Sequence, residues 1–292
     1  MTQPAPPERI AITRMLHTIH IVQDVAAARK LYQDSFGALA FAERYHPGED
    51  RDMALLYAGD HMIEPMAPRR AAPADTSTSR YLQKFGESLH SFELQIADAP
   101  AAAQTCKAHE LELSTVYPTF FFVKPRSTGG VVVELCGKSL RNDPFDYSGW
   151  NPRWFEGHPS SLRGLHHIAC VVSDMAAAEK FFLTVMAGTK LSDTRISRPQ
   201  TARQVNVMLG DAVVALIAPD DPRSGTFGAY FSRPVSGVYA LVWQVDDPAA
   251  ARRHFEEAGL RLTAATLSGC GFAIDPDDMM GARHEFIAAS TP

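Results

Sequence analysis

Cysteine is scarce. The chain of 292 residues holds four, Cys106, Cys136, Cys170 and Cys270, with no C-x-x-C pair among them. That scatter argues against a zinc ribbon and against a disulfide framework, and it reads as reduced core thiols. Long apolar runs are missing as well: no segment is long enough to span a bilayer, and Met1 to Glu8 is proline-rich without the apolar stretch of a signal peptide. The expectation is a cytoplasmic protein with no membrane partner. An excess of basic charge is also lacking, with 28 Lys and Arg against 33 Asp and Glu and no Lys/Arg run. This removes the electrostatic footprint of a nucleic-acid binder, favours a small-molecule partner, and leaves room for a homodimer.

What is present is ample apolar material, 46% of the residues, in a chain longer than one usual domain. Two domains are expected. An internal repeat supports this. His17-Thr-Ile-His-Ile-Val-Gln-Asp24 precedes a helical run from Val25 to Phe36, and His167-Ile-Ala-Cys-Val-Val-Ser-Asp174 precedes one from Met175 to Met186. A shift of 150 residues relates the two, and within one residue it also carries Gly59-Asp60 onto Gly210-Asp211 and Glu134 onto Glu285. Each half divides again. The strand-like Ser91 to Ile96 precedes an Ala-rich segment at Ala99 to His109, as Ala240 to Val245 precedes Pro248 to Gly259.

Short β-branched and aromatic runs follow each helix: Ala40 to Tyr45, Met53 to Tyr57, His61 to Met66, Leu113 to Tyr117, Phe120 to Val123 and Val131 to Cys136 in the first half. The second half offers Gln204 to Leu209, Val213 to Ala218, Leu260 to Ala265, Gly271 to Ile274 and Ala282 to Ala288. The class is α+β. The predicted division is a first half over 1–140, an ordered, aromatic-rich linker over 141–163, and a second half over 164–292.

From Leu16 to Ala289 the chain resembles the vicinal oxygen chelate superfamily, which includes glyoxalase I, methylmalonyl-CoA epimerase, extradiol dioxygenases and antibiotic-resistance proteins. The resemblance rests on Leu16-His17 with Asp24, on Gly164-Leu165-His166-His167 with Asp174, and on Gly129-Gly130-Val-Val-Val-Glu134-Leu135. It implies four βαβββ modules paired into two half-open β-barrels, with one divalent metal ion held by the first and last strands of the modules. Carried over by position, the first half offers His17, Glu64 and Glu134 as ligands. Ser91 stands at the fourth place, with His90 able to replace it across a β-bulge. The second half offers His167 and Glu285 only, because Ala215 and Ala240 occupy the other two places. Fe, Mn, Co, Ni, Zn and Mg all suit such donors.

An isolated strand histidine is usually just a hydrogen-bonded residue. The matched His and Glu spacing of the two halves lifts His17 and Glu134 above that background. Glu93 shares the inward parity of Ser91 and is a candidate catalytic carboxylate, and Asp52 lies near the place where the family's epimerases carry an acid/base group. Glu134 is a candidate for both metal binding and proton uptake. The segment Lys124-Pro125-Arg126-Ser127 ahead of the Gly pair resembles the closing hairpin of methylmalonyl-CoA epimerase. The resemblance therefore implies proton transfer beside a metal-bound carbonyl: an epimerase, isomerase or lyase on a small oxygenated acid, keto compound or thioester. The alternatives are an iron-dependent extradiol dioxygenase, which implies a metal in the second half, and a metal-free ligand-binding protein.

Overall fold

The computed structural model describes residues 8–69, 76–138, 143, 155–197, 201–231, 237–267 and 271–289. The first module runs through β1 (Ile12–Ile21), α1 (Val25–Phe36), β2 (Leu39–His46), β3 (Arg51–Ala58) and β4 (His61–Pro68). After α2 (Ser77–Phe85), the second comprises β5 (Ser88–Ile96), α3 (Ala99–Ala108), β6 (Leu113–Val116), β7 (Phe120–Val123) and β8 (Val133–Cys136). The third has β9 (Leu162–Val171), α4 (Met175–Glu179) continued by a π-helical run over Lys180–Val185, β10 (Thr189–Ile196), β11 (Ala202–Leu209) and β12 (Ala212–Pro219). Following α5 (Gly225–Phe231), the fourth contains β13 (Val238–Val245), α6 (Pro248–Glu257), β14 (Leu262–Ala264), β15 (Phe272–Ile274) and β16 (His284–Ala288).

Each half is one eight-stranded mixed sheet, ordered β2-β3-β4-β1-β5-β8-β7-β6 and β10-β11-β12-β9-β13-β16-β15-β14. The modules thus pair within halves through the antiparallel contacts β1·β5 and β9·β13. Four aspartates set the repeat locally. Asp24, Asp98, Asp174 and Asp247 each leave the strand in extended conformation and accept a backbone N–H of the next helix's first turn, which stabilises a helix start by about 1 kcal/mol.

Three elements escape a reading by periodicity. The helices α2 and α5 are short, α2 drawing its start from Thr76, and β10 is a mostly exposed edge strand with charged residues and no apolar alternation. Of the aromatic linker, Phe145, Tyr147, Trp150 and Trp154 lie outside the described residues, while Phe155 is buried against Leu55, Tyr57 and Met62.

The two sheets stand back to back over one continuous core that takes residues from all four modules. Phe36 of α1 packs edge-on against Trp243, Phe255 and Phe286 of the fourth module. Phe92 of the second faces Phe182 of the third. A buried hydrogen-bond chain crosses this core. The Trp243 Nε1–H donates to Nδ1 of His284 at 3.0 Å, so His284 carries its proton on Nε2 and donates to the Tyr32 hydroxyl at 3.1 Å. Tyr32 in turn donates to Nδ1 of His20 at 3.0 Å, and Nε2–H of His20 donates to the Met280 carbonyl at 2.9 Å. Every donor is used once, which holds both imidazoles neutral.

Candidate metal centre

The concave face of the first sheet is built by register. His17 on β1 stands opposite Glu93 on β5, Glu93 stands opposite Glu134 on β8, and Ile19 stands opposite Glu64 on β4. Side chains directly across a sheet share a face, so one imidazole and three carboxylates converge there, all buried. Ligand atoms of His17, Glu93 and Glu134 all lie within 4.8 Å of one another. Oε2 of Glu64 lies 2.9 Å from Nε2 of His17, and Oε1 of Glu93 lies 4.0 Å from its Nδ1.

Close as these atoms are, both ring nitrogens of His17 and Oε1 of Glu93 lack a hydrogen-bond partner among the described residues. The Glu64 contact is an ion pair at 2.9 Å. Burial, opposed by a hydrogen bond from Glu134 and reinforced by the charge of Glu64, pushes Glu93 up to about 7. Burial and then the charge of Glu93 hold Glu134 well above the usual carboxylate range. For His17, burial resists protonation, yet the charge of Glu64 outweighs it and raises the imidazole. Glu64 shifts the other way: burial pushes it up, but the charge of His17 pulls it below its ordinary value. Buried oxygen and nitrogen donors of this kind suit a divalent cation, which would relieve the mutual repulsion of the carboxylates.

His90 does not join the cluster. A β-bulge falls between the pairs Ile19 to Ser91 and His20 to Leu89 and leaves His90 as the extra residue. Its Nδ1 lies 2.7 Å from the Ser91 hydroxyl, and its ring meets Tyr81 edge-on. Burial, then the charge of Arg51, lowers it to about 4. Asp52 is also placed elsewhere. Arg51 and Met53 stand opposite Pro68 and Met66, which share the face of Glu64, so Asp52 opposite Ala67 points to the outer side. There it accepts from Nε of Arg69 at 2.9 Å. A one-residue difference in parity separates Asp52 from the cavity and gives the inward place to Arg51.

Beside the cluster lies a cavity of about 230 Å³, walled by Ile21, Met66, Phe122 and His90 and roofed by Thr78 and Tyr81 of α2. Arg51 and His46 also line it. Sequence reading had no signal for α2 or for these two basic groups, apart from the inward parity of positions 46 and 51.

The second half repeats the scaffold without the chemistry. Val242 stands between His167 and Glu285 where Glu93 stands in the first half, and Ala215 takes the place of Glu64. The Glu285 carboxylate accepts from Thr266 N at 3.0 Å, Leu267 N at 3.1 Å and Arg283 Nε at 2.8 Å, and from the Thr266 hydroxyl. His167 lies 2.6 Å from His166 through their Nδ1 atoms, and burial lowers it to about 3. Phe227, Tyr239 and Ala240 fill the concave face.

A family model for the glyoxalase/bleomycin resistance protein/dioxygenase superfamily matches residues 14–135, and a second model of the same superfamily matches 166–272. The chain belongs to this vicinal oxygen chelate superfamily. Among its relatives is an uncharacterized protein, YqjC of Bacillus subtilis (strain 168), 27% identical over 133 residues, which cover 43% of this chain and 92% of that one. Solved structures of the same fold include a variant of 4-hydroxymandelate synthase from Streptomyces coelicolor, with a TM-score of 0.71 at 18% identity over 96% of this chain and 93% of that one. The 2,3-dioxygenase LapB from Pseudomonas sp. KL28 has a TM-score of 0.59 at 12% identity over 97% and 94%. The vicinal oxygen chelate scaffold is thus present twice, and the two copies differ in what lines their concave faces. No helix among the described residues is long and apolar enough to cross a membrane.

Proposed function

We propose that the first half is a metal-dependent active site for proton transfer beside a carbonyl, acting as an epimerase, isomerase or lyase on a small oxygenated acid, keto compound or thioester. The observation that carries this reading is the cluster of His17, Glu93 and Glu134, with Glu64 alongside and three buried polar atoms left without hydrogen bonds. His17, Glu93 and Glu134 would hold one divalent ion, and Glu64 beside Nε2 fixes the imidazole from β4. When bound, such an ion supplies Lewis acidity to a carbonyl or enolate oxygen. Among these carboxylates Glu93, which burial raises to about 7, would also be the one to take a proton from the substrate and return it. Thr78 and Tyr81 of α2 and the apolar wall would limit water around a substrate held in the neighbouring cavity.

The test is metal analysis of the purified protein after equilibration with each candidate ion. About one ion per chain is expected, lost in His17→Ala and weakened about tenfold or more in Glu134→Gln. Solvent deuterium should exchange into a bound keto acid. Failure to retain any divalent ion overturns the reading and leaves a ligand-binding protein. A second reading, oxygen-dependent chemistry, is supported by the likeness in fold to 4-hydroxymandelate synthase and a 2,3-dioxygenase over nearly the whole chain. Oxygen uptake by the iron-loaded protein with catechols or aryl keto acids separates the two.

A further inference from the structure

We propose that the cavity beside the cluster binds an organic acid, its oxyanion held by Arg51 and His46 and its apolar body lying against Met66, Tyr81 and Phe122. Arg51 on β3 and His46 on β2 are direct cross-strand partners and both line the cavity. Nε of Arg51 and Nδ1 of His46 are buried without a hydrogen-bond partner among the described residues. An unpaired buried donor is costly, and more so on a charged group. The Nε–H of Arg51, with Nδ1 of His46 beside it able to carry a second donor, is a geometry that a carboxylate or phosphate relieves, because a guanidinium fork matches two oxygens at once.

The other charged groups on the cavity wall are engaged. Lys124 lies 3.4 Å from Glu112. Glu49, a carboxylate at the same wall, accepts from the backbone N–H and the hydroxyl of Ser77 at 3.1 and 2.7 Å and so secures the start of α2. The positive charge facing the cavity therefore sits at Arg51, whose field also reaches the buried carboxylates of Glu64 and Glu93. Apolar side chains make up much of the rest of the wall, which suits a ring or branched hydrocarbon body rather than a sugar. This deepens the metal-centre reading and rests on it for which end of the ligand reacts; the anchor has a readout of its own.

That readout is calorimetric binding of phenylacetate, phenylacetamide and phenyl phosphate to the full-length, metal-loaded protein. The wild type should bind phenylacetate at least about tenfold more tightly than the uncharged amide. Arg51→Gln should bring acid and amide to within about twofold of each other while metal content stays unchanged, and His46→Gln should remove a smaller part of the preference. Tighter binding of phenyl phosphate with the same dependence on Arg51 supports the oxyanion anchor and assigns it to phosphate esters. The proposal is overturned by no phenylacetate binding, by equal affinity for acid and amide in the wild type, or by a preference that survives Arg51→Gln. It is overturned too if Arg51→Gln loses metal and keeps the preference, since Arg51 would then be a counter-charge for the cluster. A protein without metal that still prefers phenylacetate through Arg51 refutes the metal reading and leaves the anchor standing.

Discussion

Glu93→Gln should stabilise the metal-free protein, an unusual direction for a change at a buried position. In the folded state burial lifts Glu93 from an ordinary value of 4.5 to about 7. A carboxylate raised in this way contributes stability that is fully present below pH 4.5 and is lost as the pH rises through about 7. At about 1.4 kcal/mol per pH unit, the metal-free protein forfeits up to about 3 kcal/mol by pH 8. Glutamine keeps the shape, carries no charge, and its side-chain oxygen can still accept from Glu134. For a chain of this size each kcal/mol moves Tm by about 2–4 °C. Metal-free Glu93→Gln should therefore melt roughly 6–12 °C above the wild type at pH 8 and much closer to it at pH 5. Adding the ion at about 100 times its Kd should raise the wild type by about 2.7 kcal/mol and the variant by less. Scanning calorimetry in chelator at the two pH values, then with metal, gives all four numbers. A metal-free variant no more stable than the wild type at pH 8 would falsify the view that Glu93 is an uncompensated buried carboxylate.

Three further outcomes are expected. Glu285→Gln should leave metal content unchanged but cost about 1–3 kcal/mol in urea unfolding, because its amide hydrogens would face the donors of Thr266, Leu267 and Arg283; loss of metal would move the site to the second half. Tyr32→Phe should cost a similar amount by cutting the chain between His20 and His284, and the double change Tyr32→Phe with His284→Phe should be clearly non-additive. Burial lowers His20 to about 4 and His61 to about 3, so their contribution is complete above 6.5 and is lost as the pH falls below it. The urea midpoint should therefore drop between pH 6.5 and pH 5, and a flat midpoint over that window would show that these imidazoles are not held neutral.

Much of the scaffold is legible in the sequence itself. The alternation in His17 to Ile21, the aspartates that open the helices and the shift of about 150 residues are local or periodic signals, and they specify strands, helix starts and four modules directly. The resemblance to the vicinal oxygen chelate superfamily, carried over by position, singled out His17, Glu64 and Glu134 and left the second half short of ligands at Ala215 and Ala240.

Tertiary structure decided the rest, because register and bulges depend on which strand lies alongside. Glu93 became the centre of the cluster only through its direct pairing with both His17 and Glu134. One extra residue at a bulge sent His90 to the cavity wall, and a parity difference of one residue turned Asp52 outward to Arg69 while Arg51 turned in. Glu285 matches Glu134 in sequence, yet Thr266, Leu267 and Arg283 consume its lone pairs. A carboxylate's chemistry depends on the donors around it, and those come from parts of the chain that local pattern does not connect.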